Sequence, residues 1–321
     1  MPLIPFSHRY PDEFLSRTED NFDVLIDKLR LFFNDTREDI GNGQIARRKL
    51  KNQFQYDEEL KGLKINESGL STKETISEFN EMLEGSLRFQ DPTTAFNMIP
   101  MPLFDAVAGV TLVNLYNTNP FWDFVSGKLC LFEKKIVRVL GELVGWEKAD
   151  GFVVTGGKQA ILYAIKNGIA RASLNAERPY DINQYVVICS TLAHYCIEHV
   201  CHYMGICPEN CIRIEAQASG EMNLEALERT MNHVIGQGKK IAVVMGVAGG
   251  TINLVPDAIS SIKQTIDQVT ENQRLTYVPY FHVDSVISWP WLAFRNNFQG
   301  HPNPKIAKKI KCVVSRLSGI Q

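Results

Sequence analysis

The 321-residue sequence has almost no excess of charge of either sign. Its 34 Lys and Arg stand against 36 Asp and Glu, a formal net charge of −2. That balance excludes the strong field that would recruit nucleic acid or an anionic membrane surface, so neither is expected as a partner. Long apolar runs are also missing. The longest, such as "LFDAVAGVTLVNLY" over 103–116, are broken by polar residues and too short to cross a bilayer. The opening "MPLIPFSHRYPDEF" has no basic stretch followed by an apolar core. No leader peptide is expected, and the expected location is the cytoplasm. There is no internal repeat and no low-complexity tract.

Paired-cysteine signatures are absent as well. Seven cysteines, an odd number in a chain of this size, do not read as a disulfide framework. Cys196, Cys201, Cys207 and Cys211 crowd into "HYCIEHVCHYMGICPENC" beside His194, His199 and His202. No CxxC pair is present and the spacing is irregular, so a core role for the thiols outweighs zinc and no metal is expected.

What is present is a soluble globular composition, 45% hydrophobic and 22% charged, enough for one large domain or two smaller ones. Two parts are expected, a helical segment over 1–125 and an α/β domain over 126–321. In the first, Phe14, Phe22, Leu25, Leu29 and Phe32 recur at helical steps. Residues 44–72 are polar and read as exposed or irregular. "STKETISEFNEMLEGSL" opens on a cap at Ser71 or Thr72 and predicts a helix to Gly85. The apolar "PMPLFDAVAGVTLVNLY" suits a buried helix at an interface.

From about 125 onward helical and strand patterns alternate. "SGKLCLFEKKIVRVLGELVGW" is an amphipathic helix, and "TGGKQAILYAIKNG" predicts glycines opening another. "YVVICS", "CIRIEA", "KIAVVMGVA" and "YVPYFHVD" are strand patterns separated by helical ones. Such alternation implies a largely parallel sheet with helices on both faces. Ligands of open α/β sheets gather at the carboxyl ends of the strands. The chemically interesting groups fall there: Gly156 and Gly157, His194, Thr251 after Gly249-Gly250, and Asp284.

Each is weak alone. Glycines between a strand and a helix let backbone N–H groups meet an anion, but a tight turn explains them equally well. The stretch fails the Walker pattern, with Phe152 and Gln159 at the diagnostic positions, and it is not GxGxxG. That counts against an unrelated nucleotide-binding protein. A histidine such as His194 is more often a structural residue or cap than a catalyst. Asp284 ends an apolar run, where an unpaired carboxylate costs several kcal/mol or takes up a proton.

Their order is more specific. "GFVVTGGKQAILYAIK", "VVICSTLAHYCIEHVCHYMGI", "AVVMGVAGGTINLVPDAISSI" and "YFHVDSVISWPWLAF" together resemble the large domain of fold-type I pyridoxal phosphate enzymes. The group II amino acid decarboxylases are the nearest pattern, over about residues 95–300. The resemblance implies an α/β fold with a mainly parallel sheet, preceded by a helical N-terminal segment. It implies pyridoxal 5'-phosphate as cofactor, an amino acid substrate and a homodimer. By position, Asp284 would pair with the pyridine nitrogen and His194 would stack on the ring. Gly156, Gly157 and Lys158 would cradle the phosphate, and Thr251 would sit near the ring oxygen. Asn119 and Trp122 would line the entrance.

Two departures stand out. Lys158 occupies a position where the family has Thr or Ser, and Ile161 replaces a common Asn. Moreover, the family tethers the cofactor as a Schiff base to a lysine that follows a histidine. Lys305, Lys308, Lys309 and Lys311 all lie beyond Asp284, and none follows a histidine. Their cluster reads as a solvated helix face. The Schiff-base lysine and the family's C-terminal small domain are therefore expected to be absent. Two function classes stay open: a decarboxylase, incomplete in this chain, or a non-catalytic or split-enzyme subunit acting through a complementary chain.

Overall fold

The computed structural model describes residues 22–40, 56–62, 64, 69–82, 102–116, 119–120, 122–174, 181–294 and 303–317. The chain divides into two compact units, Met1–Thr118 and Asn119–Gln321.

The first unit is helical in its described residues: α1 (Phe22–Ile40), the single turn α2 (Tyr56–Glu59), α3 (Thr72–Met82) and α4 (Phe104–Tyr116). Ser71 caps α3 reciprocally. Its Oγ accepts from the Glu74 N–H at 3.3 Å, and Glu74 accepts from the Ser71 N–H at 2.7 Å. Phe14 and Gly85 lie outside the described residues. Helix α4, expected to be buried at an interface, buries none of its residues within this chain, and Phe104 is 95% exposed. It is apolar on all sides, so no single face can be turned to a core while the others meet water.

The second unit carries the sheet. Helices α5 (Asp123–Ser126) and α6 (Leu129–Val144) precede α7 (Gly157–Ala172). Then follow β1 (Tyr185–Ser190), α8 (Cys196–Tyr203), β2 (Cys211–Ile214), α9 (Leu224–Gly236), β3 (Lys240–Val247), α10 (Ile259–Asn272), β4 (Tyr280–Asp284) and α11 (Pro304–Leu317). The four strands lie in the order β2-β1-β3-β4, and every pairing is parallel. Helices cover both faces. Ile161, Ile165 and Ile169 of α7 join Ile197 and Val200 of α8 over Val187, Val243 and Met245. On the other face Leu227 and Met231 of α9 and Ile262 and Ile266 of α10 pack on Val186, Ile188 and Val244. The sequence's βαβ rhythm thus becomes the expected two-sided parallel sheet.

Helix α7 is held unusually close to β3. The register of β1 against β3 slips between Val186 and Val187, leaving Ala242 as an extra residue. At that bulge a Cβ on Gly168 would stand 2.4 Å from the Ala242 carbonyl oxygen and 2.5 Å from Val243 Cγ2. Lys240, which opens β3, donates from Nζ to the Ala172 carbonyl at the end of α7, 3.2 Å away. The helix therefore runs antiparallel to the strand. Sixteen residues give a helix of about 24 Å, and eight give a strand of about 26 Å. The amino end of α7 is thus delivered to the carboxyl edge of the sheet.

Asp257, only 3% exposed, ties the far end of β3 to the segment entering α9. Its carboxylate accepts from the Met222 N–H at 2.7 Å and the Val247 N–H at 2.8 Å. Burial pushes its carboxyl above the usual range, and these two donors offset only part of that.

Gly168→Ala should cost about 1–3 kcal/mol in urea unfolding, because backbone must yield to admit the methyl group. Gly236→Ala, where an added Cβ meets nothing within 4 Å, should be neutral or stabilise by about 0.4–1 kcal/mol. Equal effects at the two positions would contradict the close approach. A second measurement concerns pH. The folded chain holds the Asp257 proton more tightly than the unfolded chain does. Its contribution is fully present below the ordinary Asp value of about 4 and is lost as pH rises through the folded value. The urea midpoint of Asp257→Asn, relative to the unsubstituted chain, should rise between about pH 4 and pH 7. A difference that stays flat with pH counts against it.

Candidate cofactor site at the carboxyl edge

Three loops and one strand end converge on the carboxyl edge. The first is the glycine turn before α7. Gly156 is the N-cap at φ 127, a left-handed conformation that side chains disfavour, and its side-chain direction is open space. Inside an α-helix the first N–H groups have no partner, so those of Gly157 and Lys158 face outward beside the positive end of the dipole. Thr155 is drawn over this end by Gln159, whose Oε1 accepts from the Thr155 N–H at 3.0 Å and from its Oγ1 at 2.6 Å. The turn is exposed and able to receive an anion.

The second loop joins β1 to α8 and carries His194, which is half-buried. Its Nδ1 accepts from the Cys196 N–H at 3.1 Å, so the ring proton of the neutral form sits on Nε2. His194 caps α8, which is the structural role open to a lone histidine, and the cap fixes its ring. The Tyr195 ring lies 4.3 Å from it, centroid to centroid. Arg213 of β2 holds the same loop. Its Nη1 donates to the carbonyls of Ser190, Thr191 and Ala193 at 3.2, 3.4 and 3.0 Å, and its Nε donates to Glu198 at 2.5 Å.

The third loop follows β3. Gly249 has φ 98, and a Cβ there would stand 2.3 Å from Ser288 Oγ. This turn thus packs against the segment beyond β4. Thr251 is half-exposed in the turn, and among the described residues no hydrogen bond links it to His194 or Asp284.

Asp284 ends β4, opposite Val247. Its carbonyl accepts from the Ala248 N–H at 2.7 Å, and its carboxylate accepts from the exposed Val286 N–H at 3.3 Å. Among the described residues it has no ion-pair partner, although it is half-buried. Its charge is felt locally. Burial, followed by the Asp284 charge, pushes the Cys196 thiol up, and Lys158 acts in the opposite sense. Lys158, Cys196 and Asp284 are therefore within electrostatic reach of one another. Burial holds His282 below the usual histidine range, partly offset by Asp284 two residues on.

The edge thus gathers Gly156, Gly157, Lys158, His194 and Asp284. Asn119 and Trp122 are exposed. Sequence reasoning missed Cys196, Gln159 and Arg213. For Gln159 a local signal existed, since Thr155 and Gln159 are spaced one helical turn apart. For Cys196 and Arg213 there was none. Lys305, Lys308 and Lys311 lie exposed on α11, and among the described residues none bonds to Asp284. Among the described residues no group of three or more His, Cys, Asp or Glu side chains is placed to hold a metal. No helix among them is long and apolar enough to cross a membrane.

The chain is similar to known proteins. L-2,4-diaminobutyrate decarboxylase of Acinetobacter baumannii is 26% identical over 239 residues, covering 68% of this chain and 44% of that protein. Cysteine sulfinic acid decarboxylase of Homo sapiens is 25% identical over 222 residues, covering 65% of this chain and 44% of that protein. The chain thus spans less than half the length of these relatives. Among solved structures, one is the glutamate decarboxylase domain of diaminobutyrate-pyruvate transaminase and L-2,4-diaminobutyrate decarboxylase from Vibrio parahaemolyticus. It superposes with a TM-score of 0.75 at 16% identity, over 98% of this chain and 65% of that one. Mouse CSAD gives 0.68 at 18% identity, over 84% and 53%. These likenesses carry the fold. The model of the pyridoxal-dependent decarboxylase conserved domain matches residues 55–288, most of the chain, and the chain belongs to that family.

Proposed function

We propose that the Asn119–Gln321 unit binds pyridoxal 5'-phosphate, the family's cofactor, at the carboxyl edge of its sheet. The chain would thereby supply the cofactor-holding part of an amino acid decarboxylase. The observation that carries this reading is Asp284. A half-buried carboxylate without an ion-pair partner among the described residues faces the same edge as an open helix N-terminus. A ligand that is cationic at one end and anionic at the other satisfies both. When bound, the cofactor supplies an electron sink for the pair released as the bond from Cα to the carboxylate breaks.

The remaining roles belong to this chain's residues. Asp284 holds a proton on the ring nitrogen by its negative charge. His194, fixed by the Cys196 N–H, presents its ring for stacking. Gly157 and Lys158 donate backbone N–H groups to the phosphate, with Gly156 leaving room for it, and the Lys158 ammonium adds a point charge. Thr251 provides a hydroxyl near the ring's oxygen substituent. Substrate choice falls to residues outside this group, and a cytoplasmic location is part of the same proposal.

A second reading is favoured by α11. Lys305, Lys308 and Lys311 are exposed and unlinked to Asp284, so this chain would hold the cofactor without a covalent tether. A second copy or a complementary chain would then complete the site. Exposed apolar side chains on α6, such as Phe132 at 61% and Val139 at 59%, are consistent with such a contact.

Pyridoxal 5'-phosphate should bind reversibly in an absorbance titration, and borohydride should leave no label on any lysine. Asp284→Ala should weaken binding about tenfold or more, the loss expected for one hydrogen bond to a charged group. A stable label on Lys305, Lys308 or Lys311 would overturn the untethered reading. Failure to bind, with Asp284→Ala indistinguishable from the unsubstituted chain, would sink the cofactor reading itself.

A further inference from the structure

A second cluster lies on the same face of the sheet, away from the loops just described. Cys189 of β1, Cys201 of α8 and Cys211 of β2 belong to one apolar layer, the first two buried and Cys211 half-buried against them. The β1–β2 register sets Cys211 opposite Val187 and Cys189 opposite Arg213, so the two thiols are diagonal neighbours on one face. Cys211 packs against the layer that holds the other two thiols. A cavity of about 290 Å³ opens beside them, lined by Cys201 and Cys211 together with Glu198, His199 and His202. Of the three cysteines, Cys201 and Cys211 are the ones that line it. The mechanism proposed for the carboxyl edge uses none of these residues.

We propose that Cys201 and Cys211 form a dithiol modification site that reacts with small-molecule disulfides. The Cys211 thiolate attacks one sulfur of the small disulfide, whose S–S bond breaks and releases the first small thiolate. Cys201 then loses its proton to that thiolate and attacks the Cys211 sulfur, expelling the second small thiolate, which takes its proton from solvent. Two cysteine thiols are oxidised to one disulfide between α8 and β2, and one small disulfide is reduced to two thiols.

The surroundings suit this order of events. The neighbouring Cys189 and Cys201 thiols, and then the Arg213 charge, hold Cys211 below the usual thiol range against the opposing effect of burial. Cys201 is held high, first by the neighbouring Cys211 thiol and then by burial. Once the Cys211 sulfur is in a mixed disulfide, that first influence is gone. Cys201 is then freed to ionise at the moment when it must attack. Cys189 has no exposed surface and does not line the cavity, which leaves Cys201 as the resolving group.

The test uses the whole chain and oxidised glutathione. After reaction, denaturation and alkylation, cleavage after Glu198, Glu209 and Glu215 separates peptides 199–209 and 210–215. The expected product has two fewer alkylatable thiols, and these two peptides are joined through Cys201 and Cys211. Cys201→Ser, or Cys201→Ala if the first does not fold, should stop at a stable mixed disulfide on Cys211. Between pH 8 and pH 6 the rate at Cys211 should fall by much less than the roughly 75-fold expected of a thiol of ordinary acidity. A link through Cys189 or Cys207 would overturn the proposal. So would modification confined to Cys312, or the same loss of two thiols in Cys211→Ser.

Discussion

Helix α7 lies on β3 with no side chain between them at position 168, and the placement of the cofactor edge follows from that contact. The bulge at Ala242 turns a carbonyl oxygen toward the helix, and only a glycine lets the backbone come so near. With the end of α7 fixed at Lys240, the helix and the strand are of nearly equal length. The glycine turn at the start of α7 must then arrive where β3 and β4 end. A helix displaced outward by one methyl group would carry Gly157 and Lys158 with it, since packed interiors transmit such shifts instead of absorbing them.

The electrostatics of the edge are organised around charge left uncompensated within the described chain. Asp284 contributes a carboxylate, the start of α7 contributes outward N–H groups, and Lys158 adds a cation. Cys196 registers all of this as a neighbour of both charges. The histidine loop between them is fixed from behind. Arg213 reaches from β2 to three loop carbonyls and to Glu198, so this one guanidinium couples β2, the loop and α8. Asp257 does similar work for the turn after β3, at the expense of burying a carboxyl.

The thiol layer beneath the histidine loop has a different chemistry. Its cysteines pack as small apolar groups toward the sheet, yet one of them meets a cavity and a guanidinium. Irregular spacing, which spoke against zinc, says nothing about whether two thiols meet across a helix and a strand. Cys201 and Cys211 do so because α8 returns over the sheet and β2 follows directly beside β1.

Alternating patterns such as "YVVICS" and "KIAVVMGVA", separated by amphipathic helical stretches, were enough to determine a parallel sheet covered on both faces. Local pattern reports directly on which faces are buried. A cap at Ser71 or Thr72, and the strand-end positions of His194 and Asp284, were equally legible, because each depends on neighbours a few residues away. The exposure of α4 within this chain was not legible, since an apolar composition does not say what covers it. Nor were the roles of Gly168, Cys196, Gln159 and Arg213. The partners of Gly168 and Arg213 lie tens of residues off, or on another strand, and only the packing of α7 and α8 on the sheet brings them within reach. The sequence by itself determined which groups stand at the ends of strands. The tertiary structure decided that the strand ends share one edge, and that Asp284 forms no ion pair there among the described residues. Charge pairing depends on distances through space that no spacing along the chain encodes.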